Sequence, residues 1–321
     1  MATTRRSLLV GSALFLGLAG LGVAWALRRA GPQLPDLPEL SRWQWGALVV
    51  LVPAIYGLDA LRYRVLGRAA GAPMGWGAAL EASTANFFFS WLTPGAALGA
   101  PAAVVTLRRR GITLAAASLI AFGKSMTGTL VLLLLAFLAL ALGLGPAFSP
   151  AVVIPLAVGA GVVVGVLALP VLAAAHGGLR GWLQRARPGW RGRLGSGLGD
   201  AAARLARLRL HDLGWIFLSH FAYFVAFVGV AVVLVSAFGA TPMSHVVGAS
   251  TVFTAFTYVA PTPGGAGLSE GAADLFFAGL LAPGPAVAAV LIFRALTFYL
   301  QVVVGLIYLV AAGGRRILDV T

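Results

Sequence analysis

The chain has 321 residues, of which 60% are hydrophobic and 10% charged, with a mean hydropathy of +0.95. Soluble domains carry about 25% charged residues, so this composition excludes a soluble globular protein and indicates a multi-pass membrane protein. The lack of cysteine excludes disulfides, thiolate metal sites and cysteine nucleophiles, and the formal charge of +14 sits on cations placed between apolar spans, which points to anionic lipid heads and not to nucleic acid.

The first apolar run covers about 8–27. Thr3-Thr4-Arg5-Arg6-Ser7-Leu8-Leu9 resembles a twin-arginine export signal, but the run exceeds the 7–15 residues of a signal core. An uncleaved first transmembrane helix is the better reading. A Pro-containing polar loop leads to a second span at about 45–65, which ends among Asp59, Arg62, Arg64 and Arg68. Residues 78–107 are apolar but broken by Thr93-Pro94-Gly95 and stopped by Arg108-Arg109-Arg110. The spans that follow cover about 113–142, containing Lys124, and about 151–175. Then comes a loop over 176–212 with eight arginines between Arg180 and Arg209. Its end, residues 200–210, has the pattern of an amphipathic surface helix. A span at about 213–238 precedes a second broken segment, 244–281, with its break at Pro261-Thr262-Pro263-Gly264-Gly265. The last span, about 286–312, carries Arg294.

The two breaks lie 169 positions apart, from Thr93 to Thr262, and the two intramembrane cations 170 apart, from Lys124 to Arg294. Each broken half is too short to cross a hydrocarbon core of roughly 30 Å with ease, so each segment is expected to be a re-entrant hairpin. The expected fold is therefore all-α and polytopic: about six full transmembrane helices plus two opposed re-entrant hairpins in inverted-topology repeats. Residues 1–44 hold the first helix and an outer loop. Residues 45–142 form the first repeat, 143–212 the linking helix and Arg-rich loop, and 213–321 the second repeat. Counting cations on this map puts 18 of 23 on one side and three on the other, which makes both termini cytoplasmic. Paired breaks of this kind mark the substrate site of many secondary transporters, and the tips should meet near the midplane.

Candidate binding residues follow from the breaks and the buried charges: Thr93, Pro94 and Gly95; Thr262, Pro263, Gly264 and Gly265; Lys124, Glu270 and Arg294. A half-helix running from Ala266 would aim its positive end at the tip. Glu270, with Asp274 at i+4, is a candidate for proton coupling. Charges at membrane depth are functional candidates by default. In one reading the cations and helix ends bind an anionic headgroup; in the other, Glu270 and Arg294 form a structural pair that pins hairpin to helix. The two are compatible. Asp59 and Glu81 read as solvated boundary residues. Gly161-x-x-x-Gly165 suits helix packing within the chain or, alternatively, a homodimer contact. The four histidines are scattered with no i,i+4 pair, so no metal site is expected. No nucleophile elbow, Walker loop or zinc-protease motif is present, and neither enzymatic activity nor a cofactor is expected.

Pro261-Thr262-Pro263-Gly264-Gly265-Ala266-Gly267-Leu268-Ser269-Glu270, followed by Arg294-Ala295-Leu296-Thr297-Phe298-Tyr299, resembles the C-terminal signature of the lysylphosphatidylglycerol synthase transmembrane region family. The resemblance runs from about residue 45. It implies a flippase-like bacterial protein of the cytoplasmic membrane, handling lipids with anionic or zwitterionic heads, with a lipid-modifying or glycosyl-transfer enzyme as a possible partner. Pro263, Gly264, Gly265, Glu270 and Arg294 carry over as the signature of the second hairpin. The first hairpin departs from the family pattern: Gly99-Ala100-Pro101 stands where Gly-Glu followed by Arg is common, and Lys124 stands where an arginine is common. No aminoacyl-transferase region accompanies these spans, so the chain is not expected to charge a lipid itself.

Overall fold

Ser41 and Gln44 close a capping box at the start of α1 (Arg42–Ala69), with the Ser41 N–H donating to Gln44 Oε1 at 2.8 Å. The computed structural model describes residues 38–175 and 209–311, with a few helical positions between 17 and 28. Most of the expected first span, nearly all of the Arg-rich loop and residues 200–208 of the expected surface helix lie outside the described residues.

After α1 come α2 (Trp76–Leu92) and α3 (Gly99–Arg109), joined through the first break, then α4 (Leu114–Ala141), capped by the Thr113 hydroxyl, and α5 (Pro150–Ala175). The second set begins with α6 (Leu210–Ala237) and α7 (Met243–Val259). Two short turns of helix, α8 (Leu268–Gly271) and α9 (Ala273–Phe277), follow the second break. Pro283 starts α10 (Pro283–Arg294), which continues through one π turn, Ala295–Tyr299, into α11 (Leu300–Ala311). Among the described residues every regular element is a helix. Four are long and apolar enough to cross a membrane: α1, α4, α6 and the α10–α11 run.

The two sets begin with helices of equal length. Helices α1 and α6 have 28 residues each, and α2 and α7 have 17 each, about 25 Å. Each break makes the same turn. Ala96 and Ala97 donate to the carbonyls of Thr93 and Pro94, and Gly265 and Ala266, 169 positions on, donate to those of Thr262 and Pro263. Both turns place two successive residues at positive φ, Gly95 and Ala96 in the first, Gly264 and Gly265 in the second. The tips then meet: Pro94 and Pro263 form an antiparallel bridge.

Packing between the sets is reciprocal. Helix α1 lies along α6, α4 packs on α7, and the equivalent pair α11 packs on α2. Gly305 of α11 admits Phe88 of α2 at this last contact, where an added Cβ would meet the Phe88 side chain at 2.6 Å. Between the sets lies an aromatic core in which Trp91, Phe224 and Phe227 each meet Tyr258 edge-on. Helix α5 corrects one sequence reading. Gly159 packs closely against Val259, whereas Gly161 and Gly165 are exposed and have nothing within 4 Å of an added Cβ. The small-residue spacing there serves no contact among the described residues.

Candidate functional site

Two buried charged clusters flank the joined tips. The first is built from four helices. Asp59 of α1 receives Lys124 Nζ of α4 on both oxygens, at 3.0 and 3.1 Å, together with Arg62 Nη1 at 2.8 Å and the Ser83 hydroxyl of α2 at 2.6 Å. Lys124 also donates to Asn86 Oδ1 at 2.9 Å. Arg62 lies over the Tyr223 ring at 4.3 Å and donates to the Lys124 carbonyl. Gly128 makes room for it, since a Cβ there would overlap the guanidinium. His220 Nδ1 faces the Ile216 carbonyl at 2.7 Å, and its Nε2 sits between Thr127 and the Lys124 carbonyl. Asp59 is 0% exposed, which overturns its reading as a solvated boundary residue: two cations and a hydroxyl replace the water it gives up. Glu81 does lie at the periphery, paired with the half-exposed Arg110.

The cluster is one layer. Lys124 is ten residues into α4, Asn86 ten into α2 and His220 ten into α6, while Asp59 is ten from the end of α1. Each is about 15 Å along its helix from that end. With Asp59 ionised the layer carries one surplus positive charge, from Arg62 and Lys124 against one carboxylate. It also has donors left over: Arg62 Nε, Asn86 Nδ2 and the Tyr63 hydroxyl are buried with no hydrogen-bond partner.

The second cluster is neutral in charge, with one donor, Arg294 Nη2, buried without a hydrogen-bond partner. Arg294 Nε donates to Glu270 Oε1 at 2.9 Å, and its Nη1 reaches the Gly264 carbonyl at 2.5 Å. The other Glu270 oxygen accepts the Gly267 N–H at 2.8 Å. The π turn sets Phe298 beneath the guanidinium at 3.8 Å, and a Cβ on Gly264 would overlap that ring. Glu270 and Arg294 are 0% and 1% exposed. This corrects the expectation of an open half-helix from Ala266. The helix begins at Leu268, lasts four residues, and has its leading N–H taken by Glu270. Asp274 is half-buried on the next short helix, beyond the break at Ala272.

The tip residues differ in the same sense. Thr93 accepts from Leu98 N–H and donates to the Phe89 carbonyl, and Pro94 to Leu98 are exposed. Pro263, Gly264 and Gly265 are buried, and the Thr262 hydroxyl has no partner. Lys124 and Arg294 share no polar partner. They are joined through aromatics: Arg62 on Tyr223, Tyr223 hydrogen-bonded to Tyr258 at 2.9 Å, Tyr258 against Trp91, Trp91 against Phe298, and Phe298 under Arg294. Trp91 also donates to Gln301 across the two sets. Among the described residues no group of three His, Cys, Asp or Glu side chains is placed to hold a metal ion.

The sequence profile of the family described as lysylphosphatidylglycerol synthase TM region matches residues 8–305. The chain belongs to that family. It is a multi-pass membrane protein, and no curated protein matches it. Asp59, Arg62, Ser83, Asn86 and His220 were not singled out from the sequence as binding residues. The available signal was polar side chains three apart, Asp59 with Arg62 and Ser83 with Asn86, inside apolar segments.

Proposed function

We propose that the chain is a flippase-like transporter that moves a lipid with an anionic or zwitterionic headgroup across the bacterial cytoplasmic membrane, and that the head is received at the Asp59–Arg62–Lys124 layer. The observation that carries this reading is the surplus positive charge of that layer, with its three unpartnered donors, buried about 15 Å deep beside the joined tips. A buried net charge is unfavourable unless something of opposite sign completes it. In this proposal the two sets are inverted-topology repeats whose hairpins re-enter from opposite faces. The Pro94–Pro263 bridge, which pairs equivalent positions, supports a pseudo-two-fold axis through the tips. Both termini lie on the arginine-rich cytoplasmic side. Asp59 holds the cations while no headgroup is present and yields them when one arrives.

The test is headgroup movement in proteoliposomes containing anionic, zwitterionic or polyprenyl-phosphate lipid. Lys124→Gln removes a charge-assisted donor and is expected to lower the rate by about tenfold to a hundredfold. Asp59→Asn leaves both cations without a competitor, so binding of an anionic head should tighten while turnover slows. Wild-type rates in both folded variants would remove this layer from the mechanism. If wild type moves none of these lipids, the better reading becomes a membrane scaffold for a lipid-modifying enzyme, for which the neutral Glu270–Arg294 pair is well suited.

A further inference from the structure

On the far side of the α1–α6 seam from the charged layer is a groove of about 410 Å³. Its walls are apolar, chiefly Leu61, Val65, Leu218 and Ala222, and its volume falls in the range of roughly 300–1,000 Å³ typical of ligand clefts. The mouth is polar. Arg68, one residue from the end of α1, and His211, one residue into α6, lie at the same level because the helices run antiparallel. Trp215 lines the groove, half exposed, with its indole N–H donated to His211 at 2.8 Å. Asp212 also lines it, but its carboxylate caps α6 by accepting the Arg209 N–H at 3.0 Å and faces His211 at 3.9 Å. Arg68 and Arg209 are both exposed at this end, so positive charge exceeds negative at the mouth.

The depth of the groove fits one kind of occupant. From the helix ends to Ala222 is twelve residues of α6, about 18 Å, and to Leu61 eight residues of α1, about 12 Å. One leaflet of hydrocarbon is about 15 Å thick. An apolar slot of that length, with basic groups and an indole at its interfacial end, matches a phospholipid lying parallel to its neighbours in the leaflet. The inner wall of the slot is the backbone that carries the charged layer: Leu61 precedes Arg62, Ser219 precedes His220, and Ala222 precedes Tyr223.

We infer that this groove binds one acyl chain of a phospholipid from the arginine-rich leaflet, with its monoanionic headgroup at Arg68 and His211. Its use as the waiting position for the Arg62 layer rests on the transport reading; the binding does not.

The experiment reads binding without transport. Full-length protein is reconstituted with phosphatidylglycerol or phosphatidylcholine brominated on the acyl chains, and the Trp215 signal is obtained as the difference between wild type and Trp215→Phe. Brominated phosphatidylglycerol, as a minor fraction, is expected to quench that component several-fold more than the same fraction of brominated phosphatidylcholine. Arg68→Gln, an exposed change, should equalise the two lipids. Ala222→Phe, which fills the slot, should abolish the preference and reduce quenching. Equal quenching by both lipids in wild type would mean an ordinary boundary position and overturn the inference. So would a preference untouched by Arg68→Gln. Loss of transport with the lipid preference intact would defeat the transport reading and leave the groove assignment standing.

Discussion

The two hairpins share a turn, a spacing and a bridging proline, yet they bury opposite things. In the second, the tip is sealed: Arg294 ties Glu270 to the Gly264 carbonyl, and Phe298 fills the space a side chain at Gly264 would need. In the first, Pro94 to Leu98 are exposed, and the cation finds its carboxylate on α1, outside the hairpin. The second hairpin therefore balances its charges within its own geometry and leaves one guanidinium nitrogen, Arg294 Nη2, unpartnered, while the first leaves a surplus positive charge and three unpartnered donors. Two copies of one motif can thus divide anchoring and binding between them, and the charge-balanced copy is the weaker candidate for a substrate site despite its more recognisable sequence.

The largest expected effect tests the anchoring half. Arg294→Ala leaves Glu270 buried with only the Gly267 N–H, and breaking a buried pair in this way costs about 3–5 kcal/mol. Lys124→Ala leaves Asp59 with Arg62 and Ser83, so the loss should be smaller, about 1–3 kcal/mol. Unfolding in detergent compares the two directly. Adding Glu270→Ala to Arg294→Ala should recover part of the loss, because no orphan charge remains. If Lys124→Ala proves as damaging as Arg294→Ala, the division between the halves is wrong.

Next in size is the same substitution made at both tips. Gly95 and Gly264 have φ of +57° and +55°, so alanine at either pays the left-handed penalty of roughly 1–2 kcal/mol. At Gly95 nothing lies within 4 Å of the new Cβ, and that penalty is the whole effect. Ala96 already adopts φ +55° one position on. At Gly264 the Cβ overlaps the Phe298 ring, which adds about 1–3 kcal/mol of overpacking. Melting temperatures of Gly95→Ala and Gly264→Ala should separate accordingly, and Phe298→Leu should relieve the second and leave the first unchanged. Equal shifts would mean that the second tip yields as readily as the first.

The breaks and the long helices were legible in the sequence because glycine, proline and apolar run length act locally. The Glu270–Arg294 pair was legible as one of two readings, since an acid and a cation 24 positions apart in one apolar stretch have each other as buried partners. The charged layer was not. Asp59 looked like a boundary residue because it stands near Arg62, Arg64 and Arg68, and only the packing of α1 against α2, α4 and α6 takes it out of water. Its depth was available by counting, ten residues from a helix end as for Lys124, Asn86 and His220, but the count means little until those four helices are known to adjoin. The open half-helix after Ala266 failed for another reason. Proton coupling or pairing with Arg294 leaves the helix end open, but a carboxylate at the third position of a helix is also the natural partner of that helix's own leading N–H.

The smallest effect asks whether the halves communicate. Trp91, at the end of the first hairpin's longer helix, donates to Gln301 Oε1 on α11, and its ring lies between Tyr258 and Phe298. Trp91→Phe keeps a ring in place and deletes the donor, a loss of about 1 kcal/mol for the hydrogen bond. Gln301→Leu deletes the acceptor, and with it an amide nitrogen that has no partner, so its own loss should be no greater. The informative quantity is the coupling between the two in a double-mutant cycle. A coupling near the single-mutant loss means that the contact joins the halves as they stand. If headgroup movement also changes in Trp91→Phe while both charged clusters are intact, the aromatic path from Arg62 to Arg294 transmits the state of the open cluster to the sealed one. A cycle without coupling would mean that the two clusters act independently, and the contrast between the hairpins would then be one of stability alone.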